Sequence, residues 1–575
     1  MKKFVFTLLS LAVLTACAGT GNRCAECNGC TASVTGKADQ LILGNIITMN
    51  EYKPSAEAMT VKNGLIQYVG TREVAQALCD ADTEVLDYGG NSVYPGFLEA
   101  HAHGAAAGIR MAGQARLSGG IEECVEIMKQ WMAEHPDKEE FNGGGWEPWT
   151  IINPTKEPLD AICPDKPMAL CSVDGHSMWV NSAMLKLRGI DAAYAREKGP
   201  ALVHVAENGE PTGLLTESEA IAIANMAVHP VEDWKEYVLA WQDFAFGHGY
   251  TAAAEAGVEL ASPTCKEAYV ALAKEGRLKL RTFAYRLVAD DNTTPEEEVA
   301  KAVEDARDMN SEYYRVIGMK IFIDGVIEAH TGWLKEDYKD QPGFHGLERY
   351  ADKDVAVRLL KAAGDAGLSV HAHTIGNGAV EFMLDAIAEA QTETGNFDMR
   401  NILVHLQVVD PEQIRKFAAY NVVAATAPLW TPKSPSVFKQ EVSYVGEETA
   451  EHAYPIASFI KAGVVNVSHT DYPVSTVVSI PRCVYMGVMR QSPGKGPETR
   501  RNAAECVSRM DVLKSLTTNV AYQWHQEDRL GSLEVGKIAN ATVFNKDFLN
   551  DPIEEVASAE LIATIVDGQV VYNCN

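Results

Sequence analysis

Positive charge is scarce in this chain. Among 575 residues, Lys and Arg number 50 against 78 Asp and Glu, a formal net charge of −28. That balance repels phosphate backbones and argues against nucleic acid as a partner. A long apolar run is missing too: Phe4 to Leu14 is too short to cross a bilayer as a permanent helix. Cys24, Cys27 and Cys30 have no fourth ligand nearby to complete a metal or iron–sulfur site. Disulfides or no defined role are the favoured readings for them, with metal binding the alternative. Otherwise the composition, 46% hydrophobic and 22% charged, is that of a soluble globular protein. The length exceeds one simple core and fits two or three domains, or one large barrel with additions.

Lys2 and Lys3 precede the apolar run, which closes in Leu14-Thr15-Ala16-Cys17. This ending resembles a bacterial lipobox. The resemblance implies a signal peptide over 1–17, acylation of Cys17, and a lipid anchor in the cell envelope. Ala18, where Asp would signal retention, implies the outer membrane. A plain secretory signal is the alternative. Residues 18–37, rich in Gly, Asn and Thr, read as a flexible tether.

From residue 38 short β runs alternate with turns, with Asn63-Gly64 as a hairpin signal, and the last 46 residues (530–575) repeat the texture around Asp567-Gly568. Residues 38–94 plus 530–575 therefore read as one composite β-sandwich, since chain ends often meet. Between them, strand-like and helical runs alternate. Counting the run that ends in His101-Ala102-His103, eight strands are expected, near 249–255, 278–285, 316–323, 368–373, 401–405, 421–426 and 464–468 for the other seven. The fold class is thus α/β: a (β/α)8 TIM barrel over 95–529. The interval 105–245 is too long for one crossover and reads as an insertion after barrel strand 1.

In such a barrel the chemistry sits at the C-terminal strand ends. His101 and His103, at i and i+2, project to one face of strand one. Lys320 lies in strand four, opposite in phase to Met319, Ile321 and Ile323. His371 and His373 end strand five, His405 ends strand six, and His469 and Asp471 follow strand eight. Imidazoles and carboxylates are donors that suit zinc. An ammonium pointing inward beside divalent cations must be neutralised, paired or modified.

The stretches P95-G-F-L-E-A-H-A-H103, D174-G-H-S-M-W-V-N-S182, G209-E-P-T-G-L-L-T-E217, M319-K-I-F-I-D-G325, H373-T-I-G-N-G-A-V380 and S468-H-T-D-Y-P-V474 resemble the amidohydrolase superfamily. The likeness is to its amidohydrolase-3 (YtcJ-like) branch, which includes N-substituted formamide deformylases. It runs from about residue 38 to the end. It implies one or two zinc ions: His101 and His103 on the first, Lys320 carboxylated and bridging, His373 and His405 on the second, and Asp471 on the first as general base and acid. Two departures stand out. Asn377 occupies a position where the family usually has Asp, and His469 lies close to the metal site.

The implied reaction is hydrolysis of a carbon–nitrogen bond outside peptides, in a small amide such as an N-substituted formamide or N-acyl compound. Trp146, Trp149, His176 and Trp179 in the insertion, with Asn181, Pro428 and Trp430, are candidates to line the substrate pocket. His176, Trp146, Trp179 and Trp430 are the residues taken to contact substrate, with core or lid roles the rival for the tryptophans. A deaminase or cyclic amidase on the same site is an alternative, as is a non-catalytic exported binding lipoprotein. Homo-oligomerisation stays open.

Overall fold

The computed structural model describes residues 35–574 except 225–228, 258–261, 289–292, 350–351 and 476. Residues 1–34, with the lipobox Cys17, most of the tether and Cys24, Cys27 and Cys30, lie outside the described residues. Among the described residues no helix is long and apolar enough to cross a membrane.

Eight parallel strands form the central sheet: β1 (Phe97–Ala102), β2 (Tyr250–Glu255), β3 (Arg281–Leu287), β4 (Tyr314–Phe322), β5 (Ser369–Thr374), β6 (Ile402–His405), β7 (Val423–Thr426) and β8 (Asn466–Ser468). Each pairs with its neighbour in chain order, the pattern of a (β/α)8 TIM barrel. Instead of a ladder, side-chain and loop bonds join β8 to β1. Asp471 N–H donates to the His101 carbonyl at 3.0 Å. Thr470 N–H, at 3.0 Å, and His101 N–H, at 3.1 Å, both donate to the Glu99 carboxylate.

Helices outside the barrel set the facing of each strand. Helix Lys353–Asp365 is capped by Asp352, whose side chain accepts from the Asp354 N–H. It buries Val357, Leu359 and Leu360 in one cluster with Met319 and Ile321 of β4 and Ile323 just beyond it. Each such side chain contributes about 1.5–3 kcal/mol by leaving water. With the odd-numbered residues of β4 held outward, Lys320 must point inward.

Strands from both chain ends join one seven-stranded sheet. Ala541–Phe544 pairs antiparallel with Glu84–Pro95, which runs parallel to Gln40–Ile47. Hydrogen bonding runs through all seven strands, and the two halves of the sheet bury one shared core, with Ile42, Met59 and Val61 clustered with Ala541, Val543 and Ile565. Its hairpins turn at Asn63-Gly64 (φ 52° and 75°) and Asp567-Gly568 (φ 53° and 78°), the paired positive φ values that a two-residue turn between twisted strands requires. The stretch between β1 and β2 carries its own six-stranded sheet, from Ala115–Arg116 to Pro211–Thr216, then helix Val231–Phe246 back to the barrel.

Candidate metal centre and substrate cavity

His101, at the end of β1, and His103, just beyond it, approach Asp471 from the loop after β8. Nε2 of His101 is 3.1 Å and Nε2 of His103 is 3.4 Å from Asp471 Oδ1. The donor atoms of the three all lie within 4.8 Å of one another. His405 Nδ1 is 3.8 Å from Asp471 Oδ2, and the His373 and His405 rings are 4.5 Å apart. His373 Nε2 meets the Gly325 carbonyl at 3.0 Å. A carbonyl only accepts, so Nε2 carries the proton and Nδ1 keeps a lone pair. Backbone strain accompanies the cluster: His405 and Asp471 sit at φ 82° and 55°, costing about 1–3 kcal/mol each.

These residues fit a divalent cation. Among the described residues, His101 Nε2, His405 Nδ1 and Asp471 Oδ1 are buried without a hydrogen-bond partner, an expensive condition unless a ligand meets them. Burial, followed by the nearby Lys320 for His101 and His373 for His405, holds these imidazoles well below their usual pKa, so they stay neutral. Burial alone would raise Asp471, but the close approach of His103 and of the other imidazoles around it holds it below the ordinary carboxylate range. Neutral imidazole and ionised carboxylate are the forms that bind metal.

A second layer supports the first. His101 Nδ1 is 2.8 Å from His371 Nε2, a bond that fixes the His101 ring and leaves its Nε2 facing Asp471. Lys320, opposite His371 in the ladder, is fully buried, and its Nζ has no hydrogen-bond partner among the described residues. Burial pushes its ammonium down to about 7, with Asp471 opposing. His469 is equally enclosed, both ring nitrogens without a partner among the described residues, and burial lowers it to about 4. Asn377 lies elsewhere: its side chain accepts from Lys335 N–H and donates to Asp410, bracing a loop.

His176 stands beside this group, its ring 5.4 Å from that of His373. Its Nδ1 is 2.9 Å from the buried Glu217 carboxylate, which also takes Arg349 at 3.0 Å and the Thr331 hydroxyl. Burial works against both charges. Even so, the Glu217 charge raises His176 to about 9, while His176 and Arg349 lower Glu217 to about 2. Gly325 makes the approach possible: a Cβ there would stand 2.3 Å from Glu217 Oε1.

A cavity of about 360 Å³ opens onto these groups, reached by His176, His373, His405 and Asp471. Trp430 forms one wall, stacked on His405 at 5.6 Å, with its indole N–H held by Ser475. Trp149 lines the cavity as well. Trp146 and Trp179 do not reach it. Both are buried in the core of the inserted sheet, their N–H groups donating to Leu170 and Thr155 carbonyls at 2.7 Å. A small sheet needs large rings to fill its interior, and that demand claimed them. Asn181 caps helix Ser182–Arg188, and Pro428 is buried behind Leu429 and Trp430.

Sequence reasoning overlooked Glu99, Glu217, Glu328, Arg349 and the buried pair Glu441–Arg501, 2.7 Å apart. For Glu99 a signal existed, since it shares the inward face of β1 with His101. Glu217 closes a quoted stretch directly after an apolar strand. Arg349 and Arg501 lie in loops and carried no periodic signal.

The model of the amidohydrolase family matches residues 84–572. The putative amidohydrolase YtcJ of Bacillus subtilis (strain 168) is 28% identical over 544 residues, covering 92% of this chain and 98% of that one. The N-substituted formamide deformylase of Arthrobacter pascens is 26% identical over 545 residues, 92% and 98% of the two chains. The crystal structure of an uncharacterized metal-dependent hydrolase from Pyrococcus furiosus superposes with a TM-score of 0.68 at 25% identity, covering 89% of this chain and 100% of that one. With its barrel, its cluster of histidines and aspartate and a family match across most of its length, this chain belongs to the amidohydrolase family.

Proposed function

We propose that the chain hydrolyses a carbon–nitrogen bond outside peptides, in a small amide of the N-substituted formamide or N-acyl type, with zinc as its metal. The observation that carries this is the convergence of His101, His103 and Asp471, the last of which lines the cavity. The formamide deformylase among the relatives supports the bond type. Nitrogen and carboxylate donors favour zinc.

His101, His103 and Asp471 would hold one ion, and His373 with His405 a second. Lys320, carboxylated on its amine, would bridge them, which turns an unpaired buried cation into an anionic ligand. When bound, the metal acidifies water and polarises a carbonyl. Asp471 takes the proton of the attacking water and returns it to the leaving nitrogen. As oxygen adds to the carbonyl carbon and the C–N bond breaks, an acid and an amine are released. His176, its Nδ1 engaged by Glu217, presents Nε2–H to the carbonyl oxygen as negative charge develops there. Trp430 flanks the substrate. We also read the chain as exported and acylated at Cys17, facing small-molecule substrates from the envelope.

A series of formamides, N-acyl amines and cyclic amides, assayed with and without chelator, tests the reaction. Release of carboxylate with amine that stops on metal removal is expected. Ammonia released without carboxylate would identify a deaminase. Metal-replete protein inactive on every amide, ester and cyclic amide would defeat the proposal.

A further inference from the structure

The same cavity has a second polar end. Glu328 sits on the short turn Ile327–Ala329 after β4 and is half-buried. Its carboxylate lies among Asp174, Gln407 and Glu441, and all four residues line the cavity. Most of the other charged groups there have partners. Glu441 has Arg501 at 2.7 Å and Gln407 at 2.9 Å. His176 has Glu217. Asp174 accepts from Ser172 Oγ at 2.5 Å and from the His176 N–H at 3.1 Å. Asp471 belongs to the metal cluster. Arg482 is exposed, at the rim. Glu328 has Gln407 as a hydrogen-bond neighbour but no Lys, Arg or His beside it among the described residues.

Much of the remaining lining is apolar, with Val326, Leu429, Trp430 and Val437. A carboxylate so placed is costly unless something brings it a positive charge. Burial, then the neighbouring Glu441, pushes Glu328 up to about 7, consistent with a missing counter-ion. Arg501 forms no ion pair with it: its two terminal nitrogens are held by Glu441 and the Ala450 carbonyl.

The geometry points to Glu328 as the recognition group for a basic nitrogen: the cavity takes amides whose arm beyond the scissile bond ends in a primary ammonium. This rests on the amide-hydrolase reading above and names its substrate class. A cavity of about 360 Å³ is at the small end for ligand sites and suits an arm of a few carbons.

The test compares N-formyl-1,4-diaminobutane with N-formylpentylamine on zinc-loaded full-length protein. The ammonium compound is expected to have a kcat/KM higher by on the order of 10- to 100-fold, the range of a charge-assisted hydrogen bond. In Glu328→Gln and Glu328→Ala the ratio is expected to fall to near one. A wild-type ratio of one or less, or a ratio the variants retain, would overturn the inference. Calorimetric titration of butylamine and butanol gives a readout independent of turnover. Amine binding lost in Glu328→Gln would sustain this inference even if no amide is hydrolysed. Amine binding no better than that of butanol would overturn it while leaving hydrolysis intact.

Discussion

Glu217→Gln removes the charge that His176 and Arg349 share. Glu217 is completely buried, with partners at 2.9 and 3.0 Å. Its downward shift from 4.5 to about 2 is equivalent to about 3 kcal/mol, in line with about 3–5 kcal/mol for breaking a buried ion pair from one side. The upward shift of His176 describes the same contact from its other partner and is not added. The pH dependence has a definite sign. Glu217 is depressed, so its contribution is present above about 4.5 and is lost as pH falls through about 2. His176 is raised, so its contribution is complete below 6.5 and is lost as pH rises through about 9. Thermal melts of wild type and Glu217→Gln across pH 5 to 10 should therefore differ most near ~pH 5–6.5 and by less above ~pH 9, where only the Arg349 and Thr331 contacts of Glu217 remain. Steady-state kinetics at neutral pH should show kcat falling more than KM rises, because the imidazole meets charge that grows in the transition state. A melting difference independent of pH, or a variant as stable as wild type at ~pH 6, would refute the coupling.

Asp471→Asn should lower kcat by about 10²-fold or more, the scale of general acid–base catalysis, while elemental analysis still finds metal on the neighbouring histidines. Removing metal with a chelator should abolish activity and lower the melting temperature, because His101 Nε2, His405 Nδ1 and Asp471 Oδ1 are then left buried without a partner; refilling with zinc should restore both. Lys320→Met, similar in length but unable to carry a carboxylate, should cut the metal content by elemental analysis, whereas an unchanged content would exclude a bridging role. Trp146→Ala should destabilise by about 3–5 kcal/mol, read by denaturant melts. Trp430→Ala should instead raise KM.

How much of this was legible beforehand depended on the kind of signal. Strand order and hairpins were readable because alternation and Asn-Gly or Asp-Gly turns are local; both hairpins turn at the residues that such signals mark. Lys320 could be faced inward from the phase of β4 alone. The tryptophans of the insertion could not be assigned. Whether a ring fills a core or a cavity depends on which sheet covers it, and the local pattern is the same in both cases.

The sequence alone determined the alternating β/α order, the strand ends that carry histidine, and the hairpins of the end sheet, since each follows from periodicity or turn chemistry within a few residues. Tertiary structure decided the rest. It placed Glu217 between His176 and Arg349, set His371 behind His101, joined β8 to β1 through Glu99, and left Glu328 facing the cavity without a cation among the described residues. Those partners are 132, 270, 371 and, for Glu217 with Thr331, 114 positions apart. Contacts over such separations exist only once the barrel closes and the inserted sheet packs on it, because burial, not local propensity, selects them.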